Sequence, residues 1–591
     1  MRTETTQGAT PDGRPVKGGV VTWACTVGFP PSTIFPFTPP ERIGIRNLFE
    51  FQMLMYRPLY WLGKPGELGV NHERSLAQPP EWSEDGRTVT VTLKPWKWSN
   101  GEPICADNVM FYVNMLMVKK VRNGLYAPGY LPDNLTSYEK VADDKVRFTF
   151  DRAYSKTWVL MNQLTMITPM PKAWDRTADG PANASADLAD VEKVYDYLVS
   201  ENGEWTDETN EHRTTWASSP VWSVVNGPWR LKSYTLDAVV TFVPNEHYSG
   251  PNKPHIDEFR QVPINSDEEM YQLLKEGPNG PRGVNVGYFP TGLDLSPSDD
   301  PFTAAYELIP QDTHTIRYML LNFDNRRIGT ILEQTYFRQA MQYCFDQETV
   351  IRDIFMGWAY PTNGPVPVIP DSPLLSPALR GRAPWFDVER ARQLLSDNGW
   401  DVSTTPAVCV RPGTGEGCAG EGIEAGAKLS FNLRYVEGRA ALLRMLELLK
   451  ANAAKAGIEL ELEPVYGSTL VGEDHGEENE ANPRQWEMTC WNGGWTFFGH
   501  PTGEMLFKTG GGSNFGGFSD PRTDELIDKL VTSDDLAALH EYQDYLADQV
   551  PVIWTPGMAT RLTEVAHDLR GVGPFNPYGV INPEDWYFVA E

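Results

Sequence analysis

The sequence feature that most constrains the fold is an alternation of strand-like and helical segments between residues 265 and 540. Runs rich in β-branched and apolar residues predict strands at 316–323 and 458–465. Helices are predicted by apolar side chains at helical spacing in three segments, 334–356, 387–398 and 439–456. Asp387 is placed to cap the second of them, and Gly457 to end the third. Repeated helix–strand units of this kind predict a lobe of the α/β class.

The length of the chain requires more than one domain. At 591 residues it exceeds the about 250–300 residues at which a single hydrophobic core stops growing, so two or three domains are predicted. Acidic residues outnumber basic ones by 79 to 51, and the formal net charge of −28 argues against nucleic acid or an anionic membrane surface as the main partner. No segment has the about 18–20 apolar residues that a membrane span needs.

Residues 1–17 are polar, rich in glycine, proline and threonine, and lack the apolar segment of a secretory signal peptide. This composition predicts a flexible tether. We therefore expect the mature form of an extracytoplasmic protein, secreted or lipid-anchored at the outer face of the cell membrane, whose leader is absent from this sequence.

Two of the six cysteines suggest an oxidising compartment. Cys409 and Cys418 flank a Pro/Gly-rich loop without an aromatic or histidine partner, a pattern that predicts a short-loop disulfide rather than a metal site. The other four lie inside apolar segments and are predicted to be small buried hydrophobes: Cys25, Cys105, Cys344 and Cys490.

The segment 486–520 interleaves aromatic residues with glycine. Aromatic faces supply rigid apolar area, and neighbouring glycines let the backbone approach a ligand closely enough to offer its own N–H and C=O groups. We predict a ligand-binding segment here, with an ordinary aromatic core turn as the alternative. The candidate ligand-binding residues are Trp491, Asn492, Gly494, Trp495, Phe497, Phe498 and His500, together with Phe29 on a Pro-rich loop.

No enzymatic motif stands out in the sequence. HExxH, GxxxxGK[ST], GxSxG and a GxGxxG that opens a helix are all absent. The run GGGSNFGG at 510–517 resembles a phosphate cradle but has no lysine after it, and the nine histidines are scattered singly. We therefore predict a non-enzymatic protein without a metal or cofactor. A secreted carbohydrate hydrolase stays open as an alternative, because its catalytic carboxylates need no local motif.

Several segments, in matching order from about Gly18 to the C terminus, resemble the family 5 extracellular solute-binding proteins of ABC importers. WKWSNGEPICADNVMFYVNML resembles the family's turn and helix after the first hairpin, and VNGPWRLKSY resembles its Gly-Pro-aromatic strand entry. Three further segments resemble the strand, the Arg-Gln-Ala helix and the helix that follows the aromatic segment: RYMLLNFDNRR, YFRQAMQYCFDQETVIRDIF and SDPRTDELID.

The resemblance implies a two-lobed, periplasmic-binding-protein-like α/β fold of class II, built in three parts with a ligand cleft between the lobes. Domain I would comprise 18–45, 171–264 and 541–591, with a small domain inserted at 46–170 and domain III, the second lobe, at 265–540. Two strands would cross between the lobes near 259–264 and 551–555.

The implied function is capture of an extracytoplasmic solute, a peptide or peptide-like one by the family's default, and its delivery to an ABC permease, with the receptor working as a monomer. The resemblance also implies a residue that binds the ligand. In peptide-binding members of the family, an Asp three residues after the equivalent of Trp491 binds the peptide's α-amino group. Here that residue is Gly494, and 491–500 contains no acid, so an α-ammonium would lack its charge partner. The aromatic residues fit an oligosaccharide at least as well. Arg434 or Arg439 is a candidate partner for a ligand carboxylate, or else a solvated surface arginine.

Overall fold

The computed structural model describes the chain except at residues 1–13, 26–27, 179, 181–182, 202–210, 292, 294, 384, 477, 479–481, 492, 498, 558–559 and 591. Two large sheets organise these residues, one in each lobe. One cluster of buried apolar side chains includes strands of both sheets, and a second cluster lies on the second-lobe sheet. The predicted two-lobed α/β architecture is confirmed.

The first lobe contains a seven-stranded mixed sheet. Its central strand, Val20–Ala24, runs parallel to both of its neighbours, Glu258–Val262 and Val286–Tyr288. The strands follow one another across the sheet in the order Tyr306–Asp312, Thr560–Ala566, Val286–Tyr288, Val20–Ala24, Glu258–Val262, Val240–Pro244 and Trp229–Tyr234. A small sheet beside it joins both ends of the chain through Pro15–Val16, Tyr587–Val589 and Leu569–Arg570. Pro15 and Val16 therefore belong to a strand rather than to the predicted tether.

The second lobe contains a six-stranded sheet centred on Thr315–Leu321. The other strands are Glu459–Val465, Ser430–Val436, Met488–Cys490, Gly494–Thr496 and Ile553–Trp554. Helix Ala440–Ala456 packs on this sheet because Leu442, Leu446 and Leu449, at helical spacing, are buried in the same apolar cluster as the strands. Gly457 ends the helix at a φ of 92°, in the left-handed region, as predicted.

The inserted segment has a four-stranded antiparallel sheet of its own. Its order is Glu81–Trp82, Thr88–Thr92, Lys145–Phe150 and Leu135–Ala142. Helix Ala106–Lys119 buries Val109, Val113 and Leu116 against it. Two-stranded hairpins form from Trp61–Lys64 with Glu67–Asn71 and from Trp400–Asp401 with Val408–Cys409.

The remaining helices differ from the prediction at one place. The longer ones are Asp267–Glu276, Thr335–Tyr343, Val388–Asp397, Gly467–Asp474, Pro521–Leu530 and Leu536–Gln549. The shorter ones are Ile45–Asn47, Met53–Met55, Lys156–Trp158, Val191–Asp196, Gly329–Leu332, Gln347–Thr349, Pro377–Arg380 and Glu504–Phe507. The single helix predicted at 334–356 is broken, because Asp346 caps a new start by accepting the N–H of Thr349 at 3.0 Å. Asp387 caps Val388–Asp397 as predicted, accepting the N–H of Arg390 at 2.8 Å.

The predicted boundaries of the second lobe are wrong at both ends. Helix Asp267–Glu276 buries Met270, Leu273 and Leu274 in the first lobe, and strand Tyr306–Asp312 still belongs to the first sheet. The chain therefore crosses at Thr313 and His314, not at 259–264. The chain returns to the first lobe after Ile553–Trp554, which still pairs with the second-lobe sheet. The segment 541–591, predicted as part of domain I, therefore contains part of the second lobe. The predicted crossing at 551–555 lies just before the point of return.

The predicted disulfide is not formed: Cys409 and Cys418 are free thiols. Cys409 is buried in the second-lobe cluster. Cys418 lies in a turn, where its N–H donates to the carbonyl of Gly415 at 3.0 Å. The loop between them is instead closed by backbone hydrogen bonds, from the N–H of Ala419 to the carbonyl of Arg411 at 2.8 Å and from the N–H of Gly420 to that of Gly413 at 2.9 Å. The other four cysteines are buried as predicted.

Candidate functional site

A cleft of about 380 Å³ lies between the two sheets. Its size falls within the about 300–1,000 Å³ of typical small-molecule sites. Among the described residues, the first lobe contributes a loop and helix start at 29–50 together with Asp267, Tyr288, Phe289, Thr291 and Leu562. The second lobe contributes Thr315, Arg317, Tyr318, Arg439, Ala441, Ser468, Val471, His475, Trp491, Gly493, Gly494, Trp495, Thr496 and Phe515.

A bulge in the second-lobe sheet places Trp491 in this cleft. Leu320 pairs with Thr489, and Arg317 pairs with Gly494, so three steps on one strand correspond to five on the other. The two extra residues have no partner in the ladder, which bends the strand and redirects its side chains. The predicted Gly-Gly turn is therefore an interruption within a strand that continues on both sides.

The glycines of the bulge are required by close packing. A Cβ on Gly494 would stand 1.8 Å from the carbonyl oxygen of Ile316, and one on Gly493 would stand 1.7 Å from the indole nitrogen of Trp491. No side chain fits at either position without movement of the backbone or of the indole. An acidic anchor at residue 494 is thus excluded sterically as well as by the sequence.

Aromatic rings form the second-lobe wall of the cleft. The half-buried ring of Trp491 meets the ring of Tyr318 edge-on at 5.5 Å between centroids and that of His475 at 5.1 Å. Phe515 stacks on His475 at 3.7 Å with an angle of 3° between the ring planes. Such walls bind flat or apolar groups of a ligand.

A polar cluster lies where the first lobe meets the second. Burial raises the pKa of Asp267 to about 6, and the charge of Arg439 opposes this rise. The Arg439 guanidinium also lies 5.6 Å from the ring centroid of Phe29, a cation–π distance. The hydroxyl of Tyr288 is buried at the same place and, within the described part of the chain, has no hydrogen-bond partner. Burial raises the pKa of this phenol, so it is neutral and able to donate to a ligand.

Arginines outnumber acids by one among the described side chains that line the cleft. The described lining contains the four arginines Arg42, Arg46, Arg317 and Arg439 and the three acids Glu41, Glu50 and Asp267. Each acid already faces a guanidinium: Glu50 pairs with Arg46, Glu41 with Arg122 at 2.7 Å, and Asp267 lies beside Arg439. The lining therefore favours a neutral or anionic group over an added cation.

The structure brings only part of the predicted set together. Phe29, Arg439, Trp491, Gly494 and Trp495 line the cleft. Asn492 and Phe498 lie outside the described residues.

The other predicted residues lie elsewhere. Phe497 and His500 line a separate small cavity, and the His500 N–H donates to the amide oxygen of Asn162 at 2.6 Å. Arg434 does not line the cleft, because it forms ion pairs with Asp474 and, at 2.5 Å, with Glu473.

Several lining residues escape sequence reasoning. Thr313, Thr315 and Arg317 are spaced by two, the period at which side chains share one face of a strand, so their alternation was a usable signal. Tyr288 and His475 are single polar residues among apolar neighbours and carry no comparable signal.

Neither a metal centre nor a membrane span emerges from the described residues. They contain no group of three or more His, Cys, Asp or Glu side chains arranged to hold a metal ion. Nor is any described helix both long and apolar enough to cross a bilayer.

Comparison with known proteins identifies the family. Residues 72–516 match the bacterial extracellular solute-binding proteins, family 5 Middle. The oligopeptide-binding protein OppA of Lactococcus lactis is 22% identical over 525 residues, which cover 84% of this chain and 78% of that protein.

Solved structures share the fold at low identity. The oligopeptide-binding protein AppA of Bacillus subtilis, in complex with a nonapeptide, is 18% identical with a TM-score of 0.73, over 98% of this chain and 100% of that one. NikZ from Campylobacter jejuni, in complex with Ni(L-His), is 16% identical with a TM-score of 0.67, over 97% and 100%. With 72–516 matched and the two-lobed fold shared, the chain belongs to the family 5 bacterial extracellular solute-binding proteins.

Proposed function

We propose that this protein is the solute-binding receptor of an ABC importer, and that it captures a peptide or peptide-like solute in the cleft and delivers it to a membrane permease. The observation that carries the proposal is a cleft between two separately built sheets that are joined by two short crossings. Such a hinge lets two lobes close around a ligand. The names of OppA and AppA support the peptide class, and that of the NikZ complex keeps other solutes open.

The proposal includes the setting in which the receptor works. It acts outside the cytoplasmic membrane, secreted or lipid-anchored, as a monomer that binds no nucleic acid and releases its solute chemically unchanged. Light scattering after gel filtration should give the mass of one chain. Mass spectrometry of the solute after incubation should show no product, and turnover that a single carboxylate substitution abolishes would favour a hydrolase instead.

The charge of the lining narrows the peptide class. A free α-ammonium would enter a cleft in which guanidinium groups outnumber carboxylates and residue 494 has no room for an acid. We expect peptides whose N terminus is blocked to bind at least as well as free ones. Matched peptides with and without N-acetylation, compared by calorimetry, measure this directly. Binding that requires the free amine would contradict it.

An oligosaccharide is the second candidate, because Trp491 and Trp495 both line the cleft and aromatic faces stack on sugar rings. One thermal-shift panel of tri- to hexapeptides and oligosaccharides separates the two classes. A solute that binds only the folded state raises the melting temperature with its concentration. Shifts with peptides support the first candidate, and shifts with sugars alone support the second.

A further inference from the structure

His475 is a polar residue buried at the edge of the cleft. It directly follows helix Gly467–Asp474, lines the cleft, and is only 6% exposed. In the part of the chain that the structure describes, neither of its ring nitrogens has a hydrogen-bond partner. Buried polar groups are almost always hydrogen-bonded in folded proteins, so this one needs an explanation.

Both ring nitrogens of His475 are buried at the wall of the cleft, so a ligand contacts them when the ring turns toward the cleft. Phe515 stacks on its face at 3.7 Å, and Trp491 approaches at 5.1 Å with an angle of 77° between the ring planes. Burial, helped by the charge of Arg484, lowers the pKa of His475 to about 3. The imidazole is therefore neutral, with one nitrogen that donates and one that accepts a hydrogen bond.

We propose that His475, Trp491 and Phe515 form a subsite for a planar group of the solute that carries a hydrogen-bond donor or acceptor on its edge. In a peptide, this group is the side chain of tyrosine, tryptophan or histidine. The indole of Trp491 supplies the apolar wall, and His475 supplies the directional contact that distinguishes these rings from phenylalanine. The inference rests on the proposed receptor function and specifies which side chain that receptor selects.

The test compares two effects of one substitution, on the melting temperature of the empty protein and on its affinity for peptides, which should not fall together. His475→Phe keeps a ring of similar size on Phe515 but removes two buried polar nitrogens, so the melting temperature of the empty protein should stay the same or rise. Affinity for peptides with tyrosine, tryptophan or histidine should fall about tenfold, the effect of one lost hydrogen bond. Affinity for the matched phenylalanine peptide should not change.

The probes are tetrapeptides in which each position in turn carries Tyr, Trp, His, Phe or Leu, titrated by calorimetry. His314→Phe is the matched control, because His314 is a buried imidazole between the rings of Phe497 and Tyr578 but does not line the cleft. It should leave the preference intact. His475→Gln retains a donor and an acceptor, and it should keep part of the preference if the phenylalanine variant does not fold.

The outcomes separate the subsite from the receptor function. If peptides bind but the wild type shows no preference for Tyr, Trp or His over Phe and Leu, the subsite is wrong and the receptor proposal stands. A melting temperature of His475→Phe far below that of the wild type would mark the imidazole as structural and also overturn the subsite. If no peptide binds at any concentration tested, the peptide-receptor proposal fails and the subsite fails with it.

Discussion

Trp491 faces the cleft because the bulge frees it from the ladder of the second-lobe sheet. Trp491→Ala should weaken binding of the best solute in the panel by about 1–3 kcal/mol, since it removes one aromatic wall and leaves the paired strands on both sides intact. Calorimetry of the variant measures the loss. Trp82→Ala, which removes a half-buried tryptophan of the inserted sheet outside the cleft, is the control. An affinity equal to that of the wild type would remove Trp491 from the site.

Gly494 supports a second prediction at this scale. Gly494→Asp should destabilise the fold by about 1–3 kcal/mol, because its Cβ would collide with the carbonyl oxygen of Ile316. Urea unfolding measures the change. Gly472→Asp is the matched control, since a Cβ there meets no described atom within 4 Å. Equal stability of the two variants would mean that the backbone at residue 494 can move to accommodate a side chain without loss of unfolding free energy.

Single residues differ in how far the sequence reveals them. The aromatic and glycine pattern leads to Trp491, Trp495 and Gly494 before any coordinates are known, because several unusual residues recur within a few positions. His475 carries no such signal, because its burial and its lack of a hydrogen-bond partner among the described residues depend on side chains that are distant in the sequence. Arg434 misleads for the opposite reason: the two acids that neutralise it lie about 40 residues further along the chain.

Among the elements, strand Thr560–Ala566 contains an acid that should make folding depend on pH. Glu564 is 0% exposed, neither of its oxygens has a hydrogen-bond partner among the described residues, and burial together with Asp300 raises its pKa to about 8. Because this folded-state pKa lies above that of the unfolded chain, the stabilisation is complete below about pH 4.5 and is lost as pH rises to about 8. Glu564→Gln should flatten this dependence and exceed the wild type at pH 8 by more than about 1 kcal/mol.

Urea unfolding at pH 5 and pH 8 tests this prediction. Glu307→Gln is the control, because Glu307 lies on the neighbouring strand Tyr306–Asp312 but is exposed. This variant should lose as much unfolding free energy between pH 5 and pH 8 as the wild type. If the unfolding free energy of Glu564→Gln depends on pH as strongly as that of the wild type, Glu564 is not the source of the pH dependence.

At the scale of elements, the sequence predicts most strands and helices but not their partners. The periodicity of Asp267–Glu276 correctly indicates a buried face, yet the same face would suit either sheet, and it packs on the first. The predicted lobe boundary at residue 265 therefore lies too early in the chain, because strand Tyr306–Asp312 still pairs within the first sheet. The helix predicted at 334–356 is divided for a local reason, a side-chain cap at Asp346 that competes with the helical pattern.

For the whole molecule, a buried network ties the inserted segment to the second lobe. Glu504 is 2% exposed and accepts hydrogen bonds from the indole of Trp158 at 2.9 Å and the amide of Asn162 at 2.8 Å. Glu504→Ala should cost about 2–4 kcal/mol of unfolding free energy, because buried donors lose their acceptor. Glu525→Ala removes only an exposed ion pair with Arg522 and should change stability by less than about 1 kcal/mol.

Urea unfolding of the two variants measures the difference. Equal stabilities would mean that the inserted segment and the second lobe are held together by their other contacts, such as the hydrogen bond of 2.5 Å from the Tyr130 hydroxyl to Asp528.

The bulge after Cys490 has a consequence for how such a receptor diversifies. Thr489 and Gly494 are fixed by pairing with Leu320 and Arg317, whereas Trp491 between them has no partner on that strand. A substitution of Trp491 therefore changes the wall of the cleft without changing a residue paired with Thr315–Leu321. Because no side chain fits at Gly493, Trp491 is a position of the bulge at which a new side chain changes the cleft wall and leaves the sheet intact, so a library randomised at this residue is a direct source of new solute preferences.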